Sequence, residues 1–83
     1  MDERKIILLF GVEKYGKTKS FNQILTEAGL FHDDALRIEE ASALEDEELI
    51  EAVTYRYPVD IRAEISAKGV RFLDSIRATR DPV

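Results

Sequence analysis

Midway along this chain the spacing of apolar residues switches from a helical period to a period of two and then back, an order that few small folds accommodate. Val53, Tyr55 and Tyr57 alternate with Thr54 and Arg56, and Ile61, Ala63 and Ile65 alternate with Arg62 and Glu64. Pro58-Val59-Asp60 separates the two runs, so residues 51–65 are predicted to form a β-hairpin. Helical spacing resumes at once. Ala67, Val70, Leu73 and Ile76 mark one face, with Phe72 beside it, of a closing helix over about 66–78, ahead of a tail that ends by Pro82.

Upstream, Phe21, Ile24, Leu25 and Ala28 repeat at i, i+3, i+4 and i+7, the pattern of an amphipathic helix. Ser20 and Gln23 have the spacing of a capping box, and Gly29 suits a left-handed helix end. His32-Asp33-Asp34 then supplies carboxylates for the start of a second helix over about 34–48. In that helix Ala35, Ile38 and Ala41 form the apolar stripe, with Leu36, Ala43 and Leu44 off it. Residues 3–15 contain a five-residue apolar run, Ile6 to Phe10, which periodicity alone assigns to neither helix nor strand. Read as a helix it is apolar nearly all round and calls for cover on two sides, which a homodimer interface or packing within the monomer supplies.

Three segments in this order, ALEDEELIE (43–51), VTYRY (53–57) and IRAEISAKGVRFLDSI (61–76), resemble the winged helix-turn-helix family. In that family a helix ends in Leu-Glu, Gly-Leu-Ile follows two residues later, and the hairpin closes on Ile-Thr-x-Lys-Gly before the last helix. Leu44, Glu45, Leu49, Ile50, Ile65, Lys68 and Gly69 fall on those positions. Ser66 replaces the Thr, and either hydroxyl can cap the next helix. Glu48 replaces a Gly that often adopts a left-handed conformation, which costs a Glu energy. The resemblance implies a single α+β domain spanning 1–83: three helices, a two- to three-stranded wing and a C-terminal helix.

With 83 residues, 45% of them hydrophobic, the chain has enough for one small core. The absence of cysteine excludes disulfides, thiolate zinc sites and a thiol nucleophile. Ile6 to Phe10 is too short for a signal-peptide core or a membrane span, so a soluble, cytoplasmic protein is expected. The net charge of −5 is concentrated: residues 21–53 hold ten acids and one base, Arg37, whereas both flanks are mildly basic.

Gly11-Val12-Glu13-Lys14-Tyr15-Gly16-Lys17-Thr18 matches the phosphate-loop pattern GxxxxGK[ST] in full. If Ile6 to Phe10 were a strand, backbone amides would wrap phosphates, Lys17 would reach the terminal ones and Thr18 would hold magnesium. The rest of the chain lacks the apolar runs of a buried parallel sheet, so Gly11 and Gly16 read better as a helix irregularity and a helix end. His32 is the single histidine and reads as helix-terminal or solvated, while Tyr55 and Tyr57 read as core rather than as base-stacking residues. No nucleophile stands with a base, and neither catalysis nor a cofactor nor a metal site is expected.

The leading expectation, carried by the resemblance, is a non-enzymatic DNA-binding regulator. Its candidate contacts with double-stranded DNA are Lys17 and Lys19 before the first helix of the motif, Arg37 on the recognition helix, and Arg56 and Arg62 on the wing. The alternative is a protein-contact module that offers its acidic third helix to a basic partner. The two differ in what surrounds that helix and the wing: a continuous basic stripe favours DNA, and an outward-facing acidic helix favours a protein.

Overall fold

The structure, a computed structural model, describes residues 3–56 and 60–80. Among these, four α-helices and one two-stranded antiparallel sheet make a mostly helical α+β fold. Helix α1 spans Glu3–Tyr15 and runs into a single 3-10 turn at Gly16–Thr18; α2 is Phe21–Glu27 and α3 is Asp34–Asp46. Strands β1 (Ile50–Arg56) and β2 (Asp60–Ile65) lead to α4 (Ala67–Arg80).

Ile6 to Phe10 is therefore helical, and one face of α1 finds cover within the chain, while Ile6, Ile7 and Phe10 stay half-buried. Leu8, Leu9 and Val12 are buried, and α1 packs on α2, α4 and β2. Gly11 permits the close crossing with α2, since a Cβ there would lie 2.3 Å from Ile24 Cγ2. Phe21 and Leu25 of α2, Leu44 of α3, Ile61 and Ala63 of β2 and Leu73 of α4 complete a core from which water is excluded.

The predicted caps are present. Ser20 Oγ accepts from the Gln23 amide (3.3 Å) while Gln23 Oε1 accepts from the Ser20 amide (2.9 Å). Asp33 Oδ1 accepts from the Leu36 amide at 2.8 Å, satisfying one of the unpaired donors at the start of α3. The two helices of this pair end in the same way. After α2 the Leu30 amide donates to Leu25 O with Gly29 at φ +72°, and after α3 the Leu49 amide donates to Leu44 O with Glu48 at φ +62°. Glycine takes this left-handed conformation without steric cost; glutamate does not.

A second strained residue explains where the hairpin departs from simple alternation. Glu51 faces Glu64 and Thr54 faces Arg62, so Ala52 and Val53 together oppose Ala63, and Ala52 sits at φ +53°. This is a β-bulge with an alanine where glycine is favoured. Tyr55 pairs with buried Ile61 and shares its face of the sheet, yet it is 49% exposed rather than in the core; Tyr57 lies outside the described residues. Burial, and next the charges of Glu45 and Asp46, raise the Tyr55 pKa above its ordinary value. Glu48→Gly and Ala52→Gly are each expected to stabilise the fold by about 0.5–1 kcal/mol, the left-handed penalty less the added chain entropy. Thermal melts should rise by several degrees, and a lower midpoint for either variant would rule out strain at that residue.

In α3 the buried face differs from the predicted stripe. Arg37, Glu40, Ala41 and Leu44 point inward, while Ala35 and Ile38 point out. Two charged side chains occupy the inward face, so an apolar period could not identify it.

Candidate functional surfaces

Of the five candidate cations, three are engaged and two form no ion pair among the described residues, and the local structure accounts for each. Arg37, though on α3, is 5% exposed. Its guanidinium donates to Asp34 and to His32 Nδ1, and His32 Nε2 meets Thr26 Oγ1 at 2.8 Å. In the tautomer whose Nδ1 accepts from the guanidinium, Nε2 donates to the threonine. His32 is thus half-buried and ties the end of α2 to the start of α3. Arg37 fastens that turn instead of projecting toward a ligand.

Lys19 is engaged as well: Nζ bonds Glu27 Oε1 at 2.6 Å and lies 4.1 Å from the centre of the Tyr15 ring. Its pKa is raised, first by the Glu27 hydrogen bond. Arg62 spans two elements. Nε and Nη2 donate to the Asp60 carboxylate (3.0 and 3.4 Å), and Nη1 donates to Lys17 O at 2.9 Å. This places the 3-10 turn against β2.

Lys17, Arg56 and Arg62 consequently line one cleft, with Thr54 and Asp60 between them. Lys17 and Arg56 are exposed and form no ion pair among the described residues. Three of the five predicted contacts are brought together here; Arg37 and Lys19 lie elsewhere.

The cleft is not a phosphate loop. Gly11 to Tyr15 are turns of α1, with their amides in the helical ladder, and a helix rather than a strand precedes Gly16. Gly16 ends the helix at φ +54°, and Thr18 Oγ1 donates to Tyr15 O at 2.5 Å. The amides at Gly11 to Tyr15 are already committed to the helix, which overturns the strand alternative for Ile6 to Phe10.

The outer face of α3, opposite Arg37, Glu40, Ala41 and Leu44, is acidic and partly apolar. Ala35, Ile38, Ser42 and Ala43 floor a shallow groove edged by Glu39 and Asp46. Periodicity identified Ile38 as apolar but placed it inside; Ser42 gave no signal in the sequence.

Among the described residues no three His, Cys, Asp or Glu side chains converge as metal ligands, and no helix is long and apolar enough to cross a membrane. Comparison with protein-family models, curated proteins and solved structures returns no match.

Proposed function

We propose that this chain is a winged-helix-type domain that contacts duplex DNA through the cleft between its 3-10 turn and its hairpin. The element order supports the fold: a helix, a capped helix-turn-helix, a hairpin and a closing helix, with the 3-10 turn lying beside β2 where a third strand would run. The observation that carries the function is the convergence of Lys17, Arg56 and Arg62 on one cleft, with Lys17 and Arg56 lacking carboxylate partners among the described residues.

The mode of contact follows from α3. Its outer face presents Glu39, Ser42 and Asp46, and its one arginine is buried. Such a face is repelled by phosphate, so the cleft meets the DNA backbone and α3 does not read bases in the major groove. Binding is then weak, largely independent of sequence and steep in salt. A homodimer, with the half-exposed Ile6, Ile7 and Phe10 of α1 as its contact, would double the number of phosphates engaged.

Two or three phosphates neutralised per chain predict an affinity loss of about 10- to 40-fold between roughly 50 and 200 mM salt. Fluorescence anisotropy of a labelled duplex measures this directly. Lys17→Glu and Arg56→Glu should each weaken binding and flatten the salt dependence, with the melting temperature unchanged because both side chains are exposed. Absence of binding at the lower salt, or binding indifferent to both substitutions, would remove the DNA assignment.

A further inference from the structure

We propose that the groove on the outer face of α3 is the docking site for a basic amphipathic helix of a partner protein. The inference does not depend on the DNA assignment, since it concerns a different surface and different residues.

The floor of the groove is small and apolar. Ala35, Ser42 and Ala43 leave a trough along the helix, and Ile38, 43% exposed, rises within it. Small residues let a second helix approach closely, and its large apolar side chains would seat over them beside Ile38. Burying the exposed part of Ile38 is favourable, and among the described residues nothing covers it.

Charge selects the occupant. Glu39 and Asp46 edge the groove, Glu45 and Glu47 are exposed nearby, and none of the four forms an ion pair among the described residues. The carboxylates of this stretch that are paired, Asp34 with Arg37 and Glu40 with Arg4, belong to the turn and to the inner face. A lysine- or arginine-flanked apolar stripe relieves this uncompensated negative field, whereas nucleic acid adds to it. A second copy turned face to face sets the same acids against one another, as the symmetry of such a contact requires.

The probe is a designed helical peptide of leucine and lysine with one apolar face, titrated into the ¹⁵N-labelled protein. Two further peptides serve as comparisons: one with glutamate for lysine, and one with serine for leucine. The Leu/Lys peptide should bind and shift the amides of Ala35, Ile38, Ser42, Ala43 and Asp46, and neither comparison peptide should do so. Ile38→Ser and Glu39→Lys should each weaken it about tenfold, as loss of a central anchor or of a facing charge does. Glu64→Lys, the same charge change on exposed β2, should leave binding unaltered. Lys17→Glu with Arg56→Glu should also leave it unaltered, which separates this result from the DNA measurement. Shifts elsewhere, equal binding of the serine peptide, or indifference to Ile38→Ser overturns the proposal. So does a dimer that Ile38→Ser dissociates, because the occupant is then a second copy.

Discussion

Gly69→Ala should lower the stability of the domain by about 2–4 kcal/mol, although alanine is the better helix former. Gly69 lies in the first turn of α4, and at an unobstructed helical position the substitution would gain up to about 1 kcal/mol. Here a Cβ would lie 2.2 Å from Leu49 O and 2.7 Å from Ile65 Cγ1. That carbonyl cannot easily retreat. It accepts from the Ser66 amide at 3.1 Å, while Ser66 Oγ donates to Glu48 O at 2.6 Å and accepts from the Gly69 amide at 2.9 Å. One serine thus joins the end of α3, the entry to β1 and the start of α4, and the glycine lets α4 approach that junction. For a domain of this size the melting temperature should fall by about 10–25 °C. Gly16→Ala is the comparison: its Cβ meets nothing within 4 Å and only the left-handed backbone at φ +54° opposes it, so about 1 kcal/mol is expected. A Gly69→Ala protein that melts at or above the wild-type temperature would show that the junction yields.

The same junction shows which parts of the fold were legible in the sequence. Leu49, Ile50, Ser66 and Gly69 were recognised as a pattern in the right order, and the structure supplies its physical content: a capping hydroxyl and a position where a Cβ does not fit. Ser20, Gln23, Gly29 and Asp33 were legible for a simpler reason, since caps act over three or four residues and leave a local signature. What escaped was decided over longer distances or by backbone conformation. The bulge at Ala52 left no glycine to announce it, and alternation alone does not reveal that Tyr55, across the sheet from buried Ile61, stays half exposed. The inward face of α3 was hidden because Arg37 and Glu40 find partners only in the folded chain, in His32 and Asp34 on one side and in Arg4 on the other. The candidate cleft was legible residue by residue for Lys17, Arg56 and Arg62; that Arg62 itself draws the 3-10 turn to β2 spans 45 positions and could not be read locally.

Removing Arg4 should be far more damaging than removing the acid it meets. Arg4 Nε donates to Glu40 Oε2 at 2.7 Å, linking α1 to α3, and the two side chains are 22% and 3% exposed. The pair is asymmetric. Arg4→Met leaves a buried carboxylate without its cation, for which about 2–4 kcal/mol is expected, toward the lower end for a buried pair because water reaches the arginine side. Glu40→Met leaves a guanidinium on a long, partly exposed stem that can turn to solvent, so its cost should be about 0–2 kcal/mol. Arg4→Met with Glu40→Met removes both charges and covers the site with apolar atoms of similar length, and should recover to within about 1 kcal/mol of the wild type or exceed it. Glu40 Oε1 and Arg4 Nη2 point the same way, being buried with no hydrogen-bond partner among the described residues, which reduces what the pair returns for its desolvation. Urea unfolding of the four proteins at one pH gives the complete cycle. If Arg4→Met proves as mild as Glu40→Met, the carboxylate is reached by solvent and the pair contributes no more than a surface bridge. A double variant less stable than either single one would instead show that the two losses add, so that each side chain contributes apart from the pair and the pairing itself carries no coupling.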